Sequence, residues 1–186
     1  MLLLAALTSA APLTLDVTSS KLGFTVGSTL EEVTGNAGVF TGTIDPEARA
    51  GRLQVTAAAL RTGLGPRDAR LLAYALEVTR FPSITYTVTD ARGLAPKGGG
   101  EAILRGSVTI RDVTRPLDVP VHYGWEGTSL RLSGRVELSW ADFGVPDPSV
   151  LVATVSPQVT VSFEVVARAP GTPDATPAAD PAAPAG

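Results

Sequence analysis

The run from Leu104 to Val121, LRGSVTIRDVTRPLDVPV, constrains the fold more than any other stretch of the chain. Leu104, Val108 and Ile110 share one phase, while Arg105, Ser107 and Thr109 hold the other. That period of two belongs to a strand with one dry face and one wet face. Arg111-Asp112 then predicts a turn, since Asp tolerates left-handed backbone angles. A second alternating run follows in Leu117, Val119 and Val121, so the local unit is a β-hairpin. The same rhythm recurs at Leu22-Phe24-Val26, Leu53-Val55-Ala57, Ile84-Tyr86-Val88, Leu130-Leu132-Val136-Leu138-Trp140 and Val159-Val161-Phe163-Val165. Many amphipathic strands with almost no helix to cover them must bury their apolar faces in a sandwich or a barrel.

One segment breaks the rhythm. From Pro66 to Glu77 the spacing turns helical, with Leu72 and Leu76 on one face and Leu71 and Ala75 beside them. Pro66 suits the first helical position, and Asp68 in the first turn complements the helix dipole. Such a helix covers one end of a barrel or simply connects two strands. Gly134, in the middle of a strand, predicts a bend of the kind that closes a sheet on itself. Alternation alone does not say which barrel face is apolar, but an outer-membrane barrel needs aromatic girdles. Only 5% of this chain is aromatic, so a barrel with an apolar interior is the better reading.

The 186 residues carry a formal net charge of −3, with the cations scattered singly, which argues against a nucleic-acid surface. The chain has no Cys, which excludes a disulfide framework, a thiol-linked lipid and Cys-based zinc sites. Met1 to Ala11, MLLLAALTSAA, reads as a shortened secretory signal with small residues at Ser9 and Ala11, or as an ordinary N-terminus. The first alternative places the mature protein in the periplasm or outside the cell. Ala169 to Gly186 lacks aromatic and branched aliphatic residues and reads as a disordered Ala/Pro-rich tail. No stretch approaches the roughly 20 apolar residues of a membrane-spanning helix. Residues 12–168 are left as one barrel domain.

Catalytic chemistry finds little to work with. His122 lies on the outward phase shared with Asp118 and reads as a surface histidine. No GxSxG elbow frames a serine, and Gly98-Gly99-Gly100 lacks the Lys-Ser/Thr of a phosphate loop. No metal-ligand set and no cofactor motif is present. Asp142 and Asp68 are candidates for structural ion pairs, Asp142 with Arg111, Arg115 or Arg67, because a half-buried carboxylate needs a partner.

Three motifs in order carry a resemblance: Arg67-Asp68 with Leu71 and then Phe81-Pro82-Ser83-Ile84-Thr85-Tyr86, GSVTIRDVTRPLDVPV, and Ser139 to Val145, SWADFGV. Together they resemble the YceI-like family of polyisoprenoid-binding, lipocalin-like bacterial proteins, across Leu13 to Ala167. Asp112 stands where that family usually has Gly, and Arg70 where it usually has His. The stretch from Arg70 to Pro82 is about one residue short, with Ala73 and Ala75 replacing bulkier or polar residues. The resemblance implies a single lipocalin-like antiparallel β-barrel of about eight strands, with one short helix between the early and middle strands. It further implies a non-catalytic carrier of a long isoprenoid, such as a polyprenol derivative or a quinone. The apolar phase then gives the expected lining: Phe24, Val55, Ile84, Tyr86, Val108, Ile110, Leu132, Trp140 and Phe163, with Phe40, Leu72 and Leu76 near an opening. The alternative is a barrel filled by its own side chains, acting as a structural or protein-interaction module of the cell envelope.

Overall fold

The computed structural model describes residues 11–149 and 153–170. Met1 to Ala11, read as a shortened signal or an ordinary N-terminus, and the tail read at Ala169 to Gly186 thus lie almost wholly outside the described residues. Eleven hydrogen-bonded segments form one antiparallel sheet. They line up as eight strands, three of them interrupted: β1 (Leu13–Leu15 and Lys21–Ser28), β2 (Glu32–Ala37 and Phe40–Asp45), β3 (Ala50–Thr56 and Leu60–Arg61). The others are β4 (Ser83–Arg92), β5 (Gly99–Ile110), β6 (Val113–Glu126), β7 (Ser129–Ser139) and β8 (Val155–Arg168). Each strand pairs with the next, and β8 pairs with β1, for instance Phe163 with Leu22 and Ala167 with Leu15. The result is a closed barrel, which leaves the sheet without an outer edge strand.

The alternation sets the inside. Along β6, Val119 and Val121 are buried while Asp118, Pro120 and His122 are exposed. The apolar face therefore points inward, the reverse of a barrel that meets lipid with its outer wall. His122 sits on that outer wall, 3.6 Å from the Glu101 carboxylate.

The three interruptions lie side by side and crease the wall. Gly38 N–H donates to Ala59 O at 3.2 Å and Thr56 N–H to Val39 O at 3.0 Å, so the break in β2 faces the 3₁₀ turn Ala57–Ala59 within β3. In β1 the break is a turn organised by Asp16. Its Oδ1 accepts from the Thr18 hydroxyl at 2.6 Å, Thr18 N–H at 3.0 Å and Ser19 N–H at 3.3 Å, and Oδ2 lies 3.0 Å from Arg168 Nη2. The Thr18 and Ser19 donors hold the Asp16 carboxyl down at about 2. A depressed carboxyl pKa stabilises the fold above its unfolded value and stops doing so as pH falls through the folded one. Asp16 should therefore contribute fully above about pH 4, and lose its contribution between about pH 4 and pH 2. The thermal midpoints of the wild type and Asp16→Asn should converge across that window, whereas a constant gap would contradict the assignment.

The helix α1 (Gly65–Arg70) connects β3 to β4 and runs on into one wide turn, Leu71–Ala75. Gly65 takes the first helical position and Pro66 the second, one residue later than the sequence pattern suggested. Leu76 N–H donates to Leu71 O at 2.9 Å, five residues back. The wide turn inserts one residue, so Leu71 and Leu76 share a face rather than Leu72 and Leu76.

The β5–β6 turn is the expected two-residue hairpin, with Ile110 opposite Val113. However, the left-handed residue is Arg111 (φ 58), not Asp112. Arg111 is held there by its side chain, which pairs with the Glu77 carboxylate and donates to Gly144 O at 2.6 Å.

The barrel wall has a seam. Pairing of β6 with β7 runs from Glu126 and Ser129 to Val121 and Gly134, and stops there. Trp125 N–H donates to Gly98 O, on the β5 side, at 2.8 Å. Backbone groups alternate along a strand, so the even-numbered residues of β6 face β7. Two of them, Pro116 and Pro120, have no N–H to offer. The rest of β6 is then paired only to β5, and the rest of β7 only to β8. The amides of Asp118 and Glu137 face this seam, while those of Val119 and Leu138 face paired neighbours. Hydrogen exchange should be roughly tenfold or more faster at Asp118 and Glu137 than at Val119 and Leu138. Equal protection at all four would mean the seam is zipped.

Candidate functional site

The two ends of the barrel differ. At the end holding the β6–β7 and β8–N-terminal contacts the interior is solid: Leu130 and its partner Ala167 are both 0% exposed. The loop joining β4 to β5 folds over that end. Trp125 Nε1 donates to Ala95 O at 2.8 Å, and Ala95 N–H donates to the Tyr123 hydroxyl at 3.1 Å. Two aromatic side chains thus bind the closing loop through its backbone.

Towards the helix end the interior is hollow. A cavity of about 710 Å³ extends along the barrel axis, within the roughly 300–1,000 Å³ typical of small-molecule sites. Every strand contributes to it. Ten of the twelve residues expected as lining reach it: Phe24 and Phe163, Val55, Ile84 and Tyr86, Val108 and Ile110, Leu132 and Trp140, and Leu76 from the end of the helix. Phe40 and Leu72 do not. Phe40 is buried at the crease, where the break after Ala37 shifts the inward phase of β2 from odd to even residues. Leu72 packs half-buried beside the core, and Leu71 takes its place at the cavity for the helical reason given above.

Several lining residues, such as Leu22, Leu53, Val119 and Val136, belong to the same sequence phases. Others had no such signal, including Leu15, Ile44 and the rim residues Leu30 and Leu64.

The aromatic side chains are seated by glycines. A Cβ on Gly35 would stand 2.2 Å from the Phe24 ring, and one on Gly134 would stand 2.8 Å from the Phe163 ring. Each ring therefore lies across the bare backbone of its cross-strand partner, Phe24 over Gly35 and Phe163 over Gly134. Deeper in, Tyr86 brings a hydroxyl into the cavity wall. Its proton is committed to backbone carbonyls, Leu104 O at 2.8 Å and Leu117 O at 3.1 Å. Burial pushes this phenol up to about 12, so it stays neutral at ordinary pH. Among the described residues the lining is overwhelmingly apolar and suits an apolar chain, and the charged side chains Glu31, Arg67 and Arg70 that border it belong to the mouth.

Polar chemistry is confined to the mouth. The Asp68 carboxylate accepts from Thr62 N–H at 2.7 Å and the Thr62 hydroxyl at 2.6 Å, and both hold its pKa below the usual carboxylate range. Arg67 donates from Nε to the same hydroxyl at 2.9 Å and pairs with Glu31 on the β1–β2 turn. Arg70 reaches the β7–β8 loop beside that turn, donating to Pro148 O at 3.2 Å and Ser149 O at 3.3 Å. Both arginines thus tie the helix to the β8–β1 side of the opening. Among the described residues Asp68 makes no direct ion pair: it bonds Thr62, with the charges of Arg61 and Arg67 acting from further away. Asp142 forms no ion pair among the described residues: Arg115 donates to its backbone carbonyl at 3.1 Å. Among the described residues no three His, Asp or Glu side chains gather in a metal-binding group. No described helix is long and apolar enough to cross a membrane.

This architecture is similar to that of several solved structures. A polyisoprenoid-binding domain from Saccharophagus degradans, implicated in plant cell wall breakdown, superposes with a TM-score of 0.73 at 21% identity, covering 85% of this chain and 98% of its own. BcnA of Burkholderia cenocepacia gives 0.70 at 19%, with 82% and 98% covered. The YCEI protein of Campylobacter jejuni gives 0.60 at 16%, with 73% and 84% covered. No curated protein sequence matches this one significantly. The model of the YceI-like domain matches residues 13–167, nearly all of the described barrel. The chain belongs to the YceI-like domain family.

Proposed function

We propose that this protein is a non-catalytic carrier of a long isoprenoid chain, such as a polyprenol derivative or a quinone, held with its tail inside the barrel. The observation that carries the reading is the apolar cavity of about 710 Å³, hollow towards the helix end and solid at the other. The polyisoprenoid-binding description of the Saccharophagus relative supports the choice of ligand class.

Magnitudes select a chain rather than a small apolar molecule. Burying one five-carbon unit is worth about 4 kcal/mol at about 0.8 kcal/mol per carbon. Association costs an estimated 4–15 kcal/mol in lost freedom, so one unit alone barely binds. Roughly three or more units in line are needed for a tight complex. Export to the periplasm or beyond is part of the proposal. Protein isolated from its native envelope should begin near Pro12, and an intact Met1 in cytosolic fractions would refute export.

The direct test is mass spectrometry of organic extracts of the purified protein. An isoprenoid in near-stoichiometric amount is expected. Extracts without lipid, together with no uptake of retinol (a fluorescent isoprenoid alcohol), would favour a structural role for the barrel.

A further inference from the structure

The rim of the cavity carries large apolar side chains exactly where local preference asks for polar ones. Leu30 sits in the turn between β1 and β2 and is 68% exposed; Leu64 precedes α1 and is 51% exposed. Such a turn favours Asn, Asp or Gly. The residue before a helix favours Ser, Thr, Asp or Asn, and Leu64 makes no capping bond. Both leucines therefore give up local stability, a pattern that marks functional positions more often than structural ones.

Their surroundings fix them in place. Glu31, next to Leu30, pairs with Arg67, and Asp68 N–H donates to Leu64 O at 2.9 Å. The ion pair draws the two leucine-bearing turns together at one side of the mouth. Thr29 N–H donates to Thr154 O at 3.0 Å and anchors the tip further. Leu30, Leu64 and Pro66 all also contribute to the cavity lining, so the exposed apolar rim is continuous with the apolar interior.

We propose that this rim docks on the surface of a lipid bilayer, with Leu30 and Leu64 dipping into it, and that the cavity loads and unloads there. The inference rests on the carrier reading for its purpose, but the docking itself does not depend on a bound ligand. A bilayer is the fitting occupant because the rim leads into a space for an apolar chain. Passing such a chain through water would expose every carbon that the cavity buries. The rim also specifies the kind of bilayer. Arg67 is neutralised by Glu31, while Arg70 is turned to backbone carbonyls and to the Tyr74 ring, 4.6 Å away. No unpaired basic cluster remains at these positions to seek anionic lipid. Docking should be driven by apolar insertion and be indifferent to salt and headgroup charge.

The experiment is flotation of the full chain with vesicles of neutral phosphatidylcholine, at low and high salt. Wild-type protein should float with the vesicles to the same extent at both salts. The double variant Leu30→Ser, Leu64→Ser should partition roughly tenfold less or worse, with its unfolding midpoint unchanged or raised. Binding only to anionic vesicles and only at low salt would overturn the proposal, as would undiminished flotation of the double variant. Self-association without vesicles that the double variant abolishes would assign the rim to a second copy of the chain instead. A protein that floats as described but yields no isoprenoid would refute the carrier reading and leave the docking surface intact.

Discussion

Replacing Leu130 by alanine should cost about 2–5 kcal/mol of folding stability, whereas the same change at Leu138 should cost no more than about half as much. Leu130 is 0% exposed, sits opposite Ala167 and Trp125, and belongs to the solid end of the barrel. Truncating it opens a cavity that a closed cylinder of paired strands has little room to collapse. Leu138 lines a space that already exists. Its side chain has fewer packing partners, so less dispersion energy is lost and little new void is created. For a domain of this size each kcal/mol moves the unfolding midpoint by about 2–4 °C. Leu130→Ala should therefore lower it by roughly 4–20 °C, a loss that calorimetry resolves easily. Equal losses at the two positions would mean that the barrel is packed solid throughout.

That contrast could not be drawn from the sequence, and the reason is physical. Leu130 and Leu138 share one strand and one phase, and period two reports only which face a side chain takes. Whether that face meets other side chains or a void depends on what seven other strands bring to the same level. The alternation did specify β4 to β8 and the inward direction of their apolar residues. It failed at β2, because two inward positions there are Gly35 and Gly42. Their space is taken by neighbours: the Phe24 ring over Gly35, and the Leu15 side chain 2.7 Å from where a Gly42 Cβ would stand. A strand whose inner face is filled from the next strand shows no hydrophobic period of its own. The break at Gly38–Val39 then moves the inward phase from odd to even residues, which turns Phe40 into the packed core at the crease.

The mouth was legible as chemistry but not as geometry. Arg67, Asp68 and Arg70 could be singled out, yet their partners are Glu31, Thr62 and the Pro148 and Ser149 carbonyls, scattered over the chain. The helix face was misjudged by one residue for a similar reason. A wide turn with a bond from Leu76 back to Leu71 is invisible to a period of 3.6. Arg111 makes the same point: its left-handed backbone is held by Glu77 and Gly144, remote in sequence. Asp112, the residue with the better turn propensity, is left in an ordinary conformation.

Val108→Phe should leave the barrel folded at nearly its original stability while abolishing the lipid that co-purifies with the wild type. Val108 is buried on β5, opposite Arg115 on one side and beside Tyr86 on the other, with its side chain on the cavity wall. An eight-stranded barrel is only wide enough inside for its own side chains or one slender ligand. One added ring at this level takes most of that cross-section, so an extended chain can no longer pass from the mouth into the interior. In a solid core the same substitution overpacks and costs about 1–3 kcal/mol. Here the ring enters existing space and buries its own apolar surface, which offsets the crowding. Two readouts on one variant therefore separate the alternatives. Unchanged stability with no extractable isoprenoid supports a carrier whose tunnel runs past Val108. Lost stability, in a protein whose wild type never yields lipid, places Val108 in a packed core and removes the tunnel on which the carrier reading depends.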